Sequence, residues 1–277
     1  MKILWIFLTM IAFINCRDAS KTSETSKTSE ASPLKIKDTL YWSDEFNGKQ
    51  LDTLLWNYET GAHGWGNQEW QNYTAGDNVE VSDGTLKITA RKVGKGQQPG
   101  DYTSTRLTSK DTFQYGRMEV RLKVPKETGP GLWPAAWMLG YDIETIGWPD
   151  CGEIDLMEYV SYDLNHVHMT FHTAANNHLQ NTQITTGPMV LETIEESFHT
   201  YGILWSAQAI TFYIDDPTNT KLRFTKPDDP TTANWPFDKP YFFLLNMAVG
   251  GAWGGQEGVD DTIFPATFEI DYVRVYR

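Results

Sequence analysis

The stretch Trp148-Pro149-Asp150-Cys151-Gly152-Glu153-Ile154-Asp155-Leu156-Met157-Glu158-Tyr159-Val160 sets three carboxylic acids at i, i+2 and i+5 among large apolar residues. Carboxyls in an apolar setting suit acid–base and nucleophilic chemistry, because one can hold a proton to give while another holds a charge that attacks. On a helix the three would point in different directions. On a regular strand Glu153 and Asp155 share a face, and Glu158 has the wrong parity. One extra residue at Leu156 or Met157, a β-bulge, returns Glu158 to that face. Glu153 and Glu158 then stand roughly 13 Å apart along the strand. Side chains leaning inward would bring their carboxyls to about 5 Å, the separation of a retaining glycosidase, whereas an inverting enzyme needs room for a water. Three like charges so close cannot all ionise cheaply, so at least one carboxyl is expected to keep a proton at neutral pH. The competing reading is a calcium loop, but such loops place their oxygens in irregular Gly/Asn/Asp-rich backbone, not among Ile, Leu, Met and Val.

The surrounding chain reads as strands. Asn78–Ser82 and Thr85–Ala90 flank Asp83-Gly84, a hairpin signal. Gly116–Val124 alternates charged and apolar residues, Tyr201–Ile214 continues that pattern and turns at Asp215-Asp216-Pro217, and Thr267–Tyr276 alternates to the end. The one helical turn is expected near Leu191–Phe198. No repeat is present. These features predict an all-β domain of two packed antiparallel sheets.

Composition narrows the ligand. With 23 Lys plus Arg against 36 Asp plus Glu, the formal charge is −13, which argues against nucleic-acid backbones. Two cysteines cannot build a disulfide scaffold. The 11 tryptophans exceed what a core usually needs, so some are expected to be exposed for a flat ligand. Residues 1–16 carry Lys2 and an apolar run from Ile3 to Ile14, the length of an export signal rather than a membrane span. The run ends at Cys16, which resembles a bacterial lipoprotein signal; ordinary secretion is the alternative. Residues 17–36 are rich in Ser, Thr, Lys and Glu and read as a flexible tether. Residues 37–277 form the expected single domain.

Residues 37–277 resemble glycoside hydrolase family 16, and within it the laminarinase-like bacterial endo-β-1,3-glucanases. The resemblance rests on the Glu-x-Asp-x-x-Glu string, Asp44-Glu45-Phe46, Gly64–Glu69, Gln71–Thr74, Gly131–Leu139, Leu245–Gly251 and the closing Asp271–Tyr276. It implies a β-jelly roll with a concave cleft. It also implies Glu153 as nucleophile, Glu158 as general acid/base and Asp155 as helper between them. Trp133, Trp137 and His172 would lie in the cleft, with Asn67, Glu69 and Arg106 near the non-reducing-side subsites. Glu45, Gly84 and Asp271 correspond to a structural calcium site in many members; no cofactor is expected for catalysis.

The remaining candidates weigh less. Trp65 and Trp253 sit between glycines and suit a cleft rim. Trp42, Trp56 and Trp205 lie in strand-like contexts and are expected in the core, while Trp148 is divided between cleft and core. His166, His168 and His172 share parity, but a cupin-type metal motif would need a Glu soon after the second His, and Met169-Thr170-Phe171 has none. Cys151 is expected as a small buried residue. The whole predicts an exported, monomeric hydrolase of β-1,3-glucan, with mixed-linkage β-1,3-1,4-glucan as a second substrate. The membrane is expected as a partner only through the lipid anchor. The alternatives are a hydrolase of another algal polysaccharide such as agarose, and a non-catalytic glucan-binding module.

Overall fold

The computed structural model describes residues 39–277. The export signal, the tether and the first two residues of the domain lie outside the described residues. Alternation in the sequence becomes alternation of faces. In the strand Gly116–Lys123, Met118, Val120 and Leu122 are buried in the core, while Arg117, Arg121 and Lys123 lie on the other face. Eighteen strands form two sheets, one of ten strands and one of eight. Every pairing is antiparallel except that of Gln71–Tyr73 with Tyr102–Ser104. The apolar side chains between the sheets make the main core, in which Trp56 and Trp205 are fully buried and Trp42 packs at the edge.

The eight-stranded sheet carries the acids. From one edge its strands run Ile184–Thr185, His166–His172, Glu153–Glu158, Leu132–Gly140, Tyr241–Val249, Arg106–Ser109 and Trp56–Glu59, with Met189–Val190 paired to His166–His172. One face of this sheet packs on the core. On the strand Leu132–Gly140, Leu132, Ala136 and Met138 point to that core. Trp133, Ala135, Trp137 and Leu139 take the opposite face by strict period-two alternation. On Tyr241–Val249 the pattern repeats: Phe243, Leu245, Met247 and Val249 enter the core, and Asn246 and Ala248 face away.

The Asp83-Gly84 hairpin forms as the sequence predicts. Both residues have positive φ, 56° and 75°, and Ser82 pairs with Thr85 across the turn. The helical turn expected near Leu191–Phe198 is a run of turns instead. Ile194 is its only fully buried side chain, so the segment has no apolar face to dock as a helix. Glu195 there accepts hydrogen bonds from the Tyr159 hydroxyl and the Asn165 amide. The α-helical turn lies at Ile143–Ile146.

Candidate active site

The strand Glu153–Glu158 is bulged where parity requires it. Against Leu132–Gly140, Asp155 pairs with Trp137 and Met157 with Ala136, so Leu156 is the extra residue. Against His166–His172, Asp155 pairs with Thr170 and Glu158 with His168. Both Leu156 and Met157 turn into the core and are fully buried. Each is held there by about 1.5–3 kcal/mol of burial, which anchors the bulge. Glu153, Asp155 and Glu158 consequently all line one cavity on the outer face of the sheet, about 380 Å³ in volume.

Register carries one row across the cavity floor. His168, Glu158, Ala135, Asn246, Arg106 and Glu59 are successive cross-strand partners. Glu158, Ala135, Asn246 and Arg106 line the cavity itself, three strand spacings or ~14 Å, and the row continues past it to His168 and Glu59. Its centre is Ala135, whose short side chain leaves the floor low between Trp133 and Trp137.

The acids are shielded from water, and shielding raises their pKa values. Burial, then the charge of Asp155, lifts Glu153 to about 8, with His172 opposing. Burial also lifts Glu158 to about 7; there His172 and the Trp133 indole oppose it, and Glu153 adds to it. Asp155 is 1% exposed, and burial followed by the charge of Glu158 puts it well above the usual carboxylate range. Glu153 and Asp155, buried side by side, therefore hold a proton between them at neutral pH, and Glu153 carries its charge when that proton rests on Asp155. Trp133 Nε1 donates to Glu158 Oε1 at 3.2 Å.

His172 lies beneath the acids rather than in the cavity wall. Its Nε2 is 3.4 Å from Asp155 Oδ2 and 3.7 Å from Glu153 Oε1. Asp155 Oδ2 has no well-formed hydrogen bond. Glu153, Asp155 and His172 offer ligand atoms within 4.8 Å of one another, a closeness that also suits a shared proton. His166 instead pairs with Asp163 at 2.8 Å, and His168 packs edge-on against Trp253.

The wall opposite the acids gathers Trp65, Asn67, Glu69 and Arg106, all lining the cavity as expected. Arg106 pairs with Glu59, and its guanidinium lies 4.9 Å from the Trp65 ring centre and 4.7 Å from that of Trp137. Such contacts orient both indoles. Burial pushes the Glu69 carboxyl up, opposed by donors from Gln71, Asn67 and Tyr73 and by the charge of Arg106.

Besides His172, one cleft expectation needs correction: Trp253 does not line the cavity. Its Gly-rich loop folds back at Gly250 and Gly251, both at positive φ, and seats the indole edge-on against Trp133 at 5.3 Å. It props a platform rather than being one. The carboxylates expected beside calcium are engaged by arginines. Register brings Glu45, Gly84 and Asp271 to one corner of the ten-stranded sheet, where Asp44 pairs with Val273 and Leu86 with Ile270. Arg274, however, donates to both Glu45 oxygens at 2.9 and 2.7 Å, and Arg121 pairs with Asp271. With both carboxylates engaged by arginines, a calcium ion there would rest on backbone carbonyls.

Trp148, divided between cleft and core in the sequence, lines the cavity, with His178 lying over it at a ring separation of 4.9 Å. Other cavity residues escape a reading of the sequence: Ile143 comes from the helical turn Ile143–Ile146, and His178 and Leu179 from a 3-10 turn. Ala135, Leu139, Asn246 and Ala248 come from strands, and their parity with Trp133 or with each other was the available signal. Cys151 is buried with Leu139 and Leu244, and burial lifts its thiol to about 12, which keeps it inert.

The sequence model of glycosyl hydrolases family 16 matches residues 66–274. The beta-glucanase of Rhodothermus marinus is 45% identical over 248 residues, which are 86% of this chain and 85% of that protein. The crystal structure of a laminarinase from Flavobacterium sp. UMI-01 superimposes with a TM-score of 0.77 at 45% identity, covering 86% of this chain and 100% of the other. That of the laminarinase from Rhodothermus marinus gives a TM-score of 0.80 at 43% identity, over 88% and 99%. The two-sheet architecture described above is the jelly roll of these laminarinases.

Proposed function

The chain belongs to glycosyl hydrolases family 16, and from that premise we propose that it is an endo-acting hydrolase of β-1,3-glucan that retains anomeric configuration. The observation that carries this reading is the bulged strand that turns Glu153, Asp155 and Glu158 into one cavity. In the first step Glu153 attacks the anomeric carbon while Glu158 gives its proton to the leaving glycosidic oxygen. The bond to that oxygen breaks and a glycosyl ester forms on Glu153. In the second step Glu158, now a carboxylate, takes a proton from water, which attacks the same carbon and releases Glu153. Asp155 shares a proton with Glu153, and Glu153 attacks from the form in which that proton rests on Asp155. Retention is supported by the placement of both glutamates on one face of one strand with Asp155 filling the space between them. An inverting pair would need room there for a water.

The cross-strand row that runs along the ~14 Å floor and on past both of its ends suits internal cleavage of a polymer. Trp133, Trp137 and Trp65 offer flat faces to the apolar side of sugar rings. The names borne by the relatives favour β-1,3-glucan, and mixed-linkage β-1,3-1,4-glucan is a second substrate in this reading. Reducing-sugar release from laminarin, mixed-linkage glucan and agarose tests it. Release is expected from laminarin first and not from agarose; turnover of agarose alone would overturn it.

Two parts of the reading rest on residues away from the cleft. Export as a lipoprotein through Cys16 predicts palmitate labelling that Cys16→Ala abolishes; a labelled variant would refute it. Calcium bound by backbone carbonyls at Glu45, Gly84 and Asp271 predicts a melting temperature raised by calcium ions and lowered again by EDTA. An unchanged temperature would refute that.

A further inference from the structure

A single chain of hydrogen bonds runs from the cavity floor to its wall. Trp137 Nε1 donates to Asn246 Oδ1 at 2.7 Å, and Asn246 Nδ2 donates to the Tyr73 hydroxyl at 3.1 Å. The Tyr73 hydroxyl donates to Glu69 Oε2 at 3.2 Å. Glu69 also accepts from Gln71 Nε2 at 2.6 Å and from Asn67 Nδ2 at 3.2 Å.

The chemistry of the groups allows one polarity only. An indole N–H can donate and never accept, so Asn246 must turn its oxygen to Trp137 and its amino group to Tyr73. Tyr73, having accepted, must send its proton onward. Gln71 is fixed in the same sense, because its Oε1 accepts from the Val249 amide at 2.7 Å and its amino group therefore faces Glu69. Every donor points to Glu69, which alone has lone pairs for all of them. Tyr73, Gln71 and Asn246 are 1%, 0% and 6% exposed, so water does not substitute for a broken link.

We propose that Glu69 is a positioning residue, which terminates this chain as its acceptor and through Tyr73 and Asn246 fixes the Trp137 indole as a sugar platform beside the catalytic acids. Trp137 is the cross-strand partner of Asp155, so its tilt decides where a ring bound at the acids comes to rest. Arg106 holds one face of the indole, and the chain holds its edge. The inference rests on the glucanase reading for its substrate but not for its structural readout.

Tyr73 gives the test, because it is buried, lies outside the cavity lining and cannot itself touch a glucan. Tyr73→Phe removes one oxygen and cuts the chain. Laminarin kinetics and near-ultraviolet circular dichroism are measured for the wild type, Tyr73→Phe, Trp137→Phe and the double variant. The expected result is a KM raised about fivefold to tenfold by Tyr73→Phe, the loss of one buried hydrogen bond, with kcat within about twofold. In the Trp137→Phe background, which has no N–H to orient, Tyr73→Phe should add nothing to KM and nothing to the dichroism. An unchanged KM, or the same rise in both backgrounds, would overturn the proposal. If Tyr73→Phe fails to fold, indole N–H exchange in the wild type replaces it, with the Trp137 signal assigned from Trp137→Phe: slow exchange is expected, and exchange as fast as that of an exposed indole would overturn the proposal. If the wild type leaves laminarin uncut, the glucanase reading fails, while the dichroism of the four proteins still decides the inference.

Discussion

Glu153→Gln should abolish laminarin turnover, by roughly 10⁴-fold or more, while leaving the protein folded. Glutamine fills the same space but cannot form the glycosyl ester, so the first step has no nucleophile. The variant should also be more stable than the wild type, because Glu153 is a buried carboxyl whose charged form is penalised by desolvation. The folded pKa, raised to about 8, lies above the unfolded value near 4.5. The native state therefore binds more protons than the unfolded one between these values. Stability contributed by the protonated carboxyl is complete below about pH 4.5 and is lost as pH rises toward 8. A glutamine does not ionise and escapes that loss. The melting temperature of Glu153→Gln should exceed that of the wild type by more at pH 8 than at pH 5. Thermal scans at the two pH values check this, and a gap that narrows with rising pH would contradict the assigned burial of charge.

Glu158→Gln should slow laminarin turnover by about 10³-fold, within the range for loss of general acid catalysis. The loss should depend on the leaving group. A laminari-oligosaccharide with a dinitrophenyl leaving group needs no proton, so its glycosylation step should survive in the variant. Wild-type activity should fall as pH rises through about 7, where Glu158 loses its proton. The observed value belongs to the coupled group of acids rather than to one residue. The Glu158→Gln variant should lack that alkaline fall on the activated substrate. Equal losses on laminarin and on the activated substrate would remove Glu158 from the role of acid.

Much of this was legible in residue order, and the reason is period-two geometry. The parity of Glu153, Asp155 and Glu158 demanded a bulge at Leu156 or Met157, and the two buried side chains there show how it is anchored. Asp83-Gly84 announced its turn because few residue pairs accept two positive φ values in succession. What parity does not encode is which distant segments meet. His178 reaches the cavity from a loop whose path depends on tertiary packing. Trp253 looked like a platform because exposure was inferred from flanking glycines, yet those glycines let the loop fold back onto Trp133. The pairing of Glu45 with Arg274 and of Asp271 with Arg121 was not legible either, because neither arginine has an evident role in the sequence. The chain from Trp137 to Glu69 joins residues far apart in sequence, and tertiary packing of the strand Gln71–Tyr73 of one sheet beside Tyr241–Val249 of the other brings them together.

Trapping the covalent intermediate is the most direct test of double displacement at Glu153. A 2-deoxy-2-fluoro laminaribiosyl fluoride forms the glycosyl ester, and its electron-withdrawing fluorine slows the hydrolysis that follows. Mass spectrometry of the digested, labelled protein should place one disaccharide on the peptide that holds Glu153, with Glu153 itself as the modified residue. Attachment at Glu158 or Asp155, or a protein that stays unlabelled while it cuts laminarin, would contradict the account.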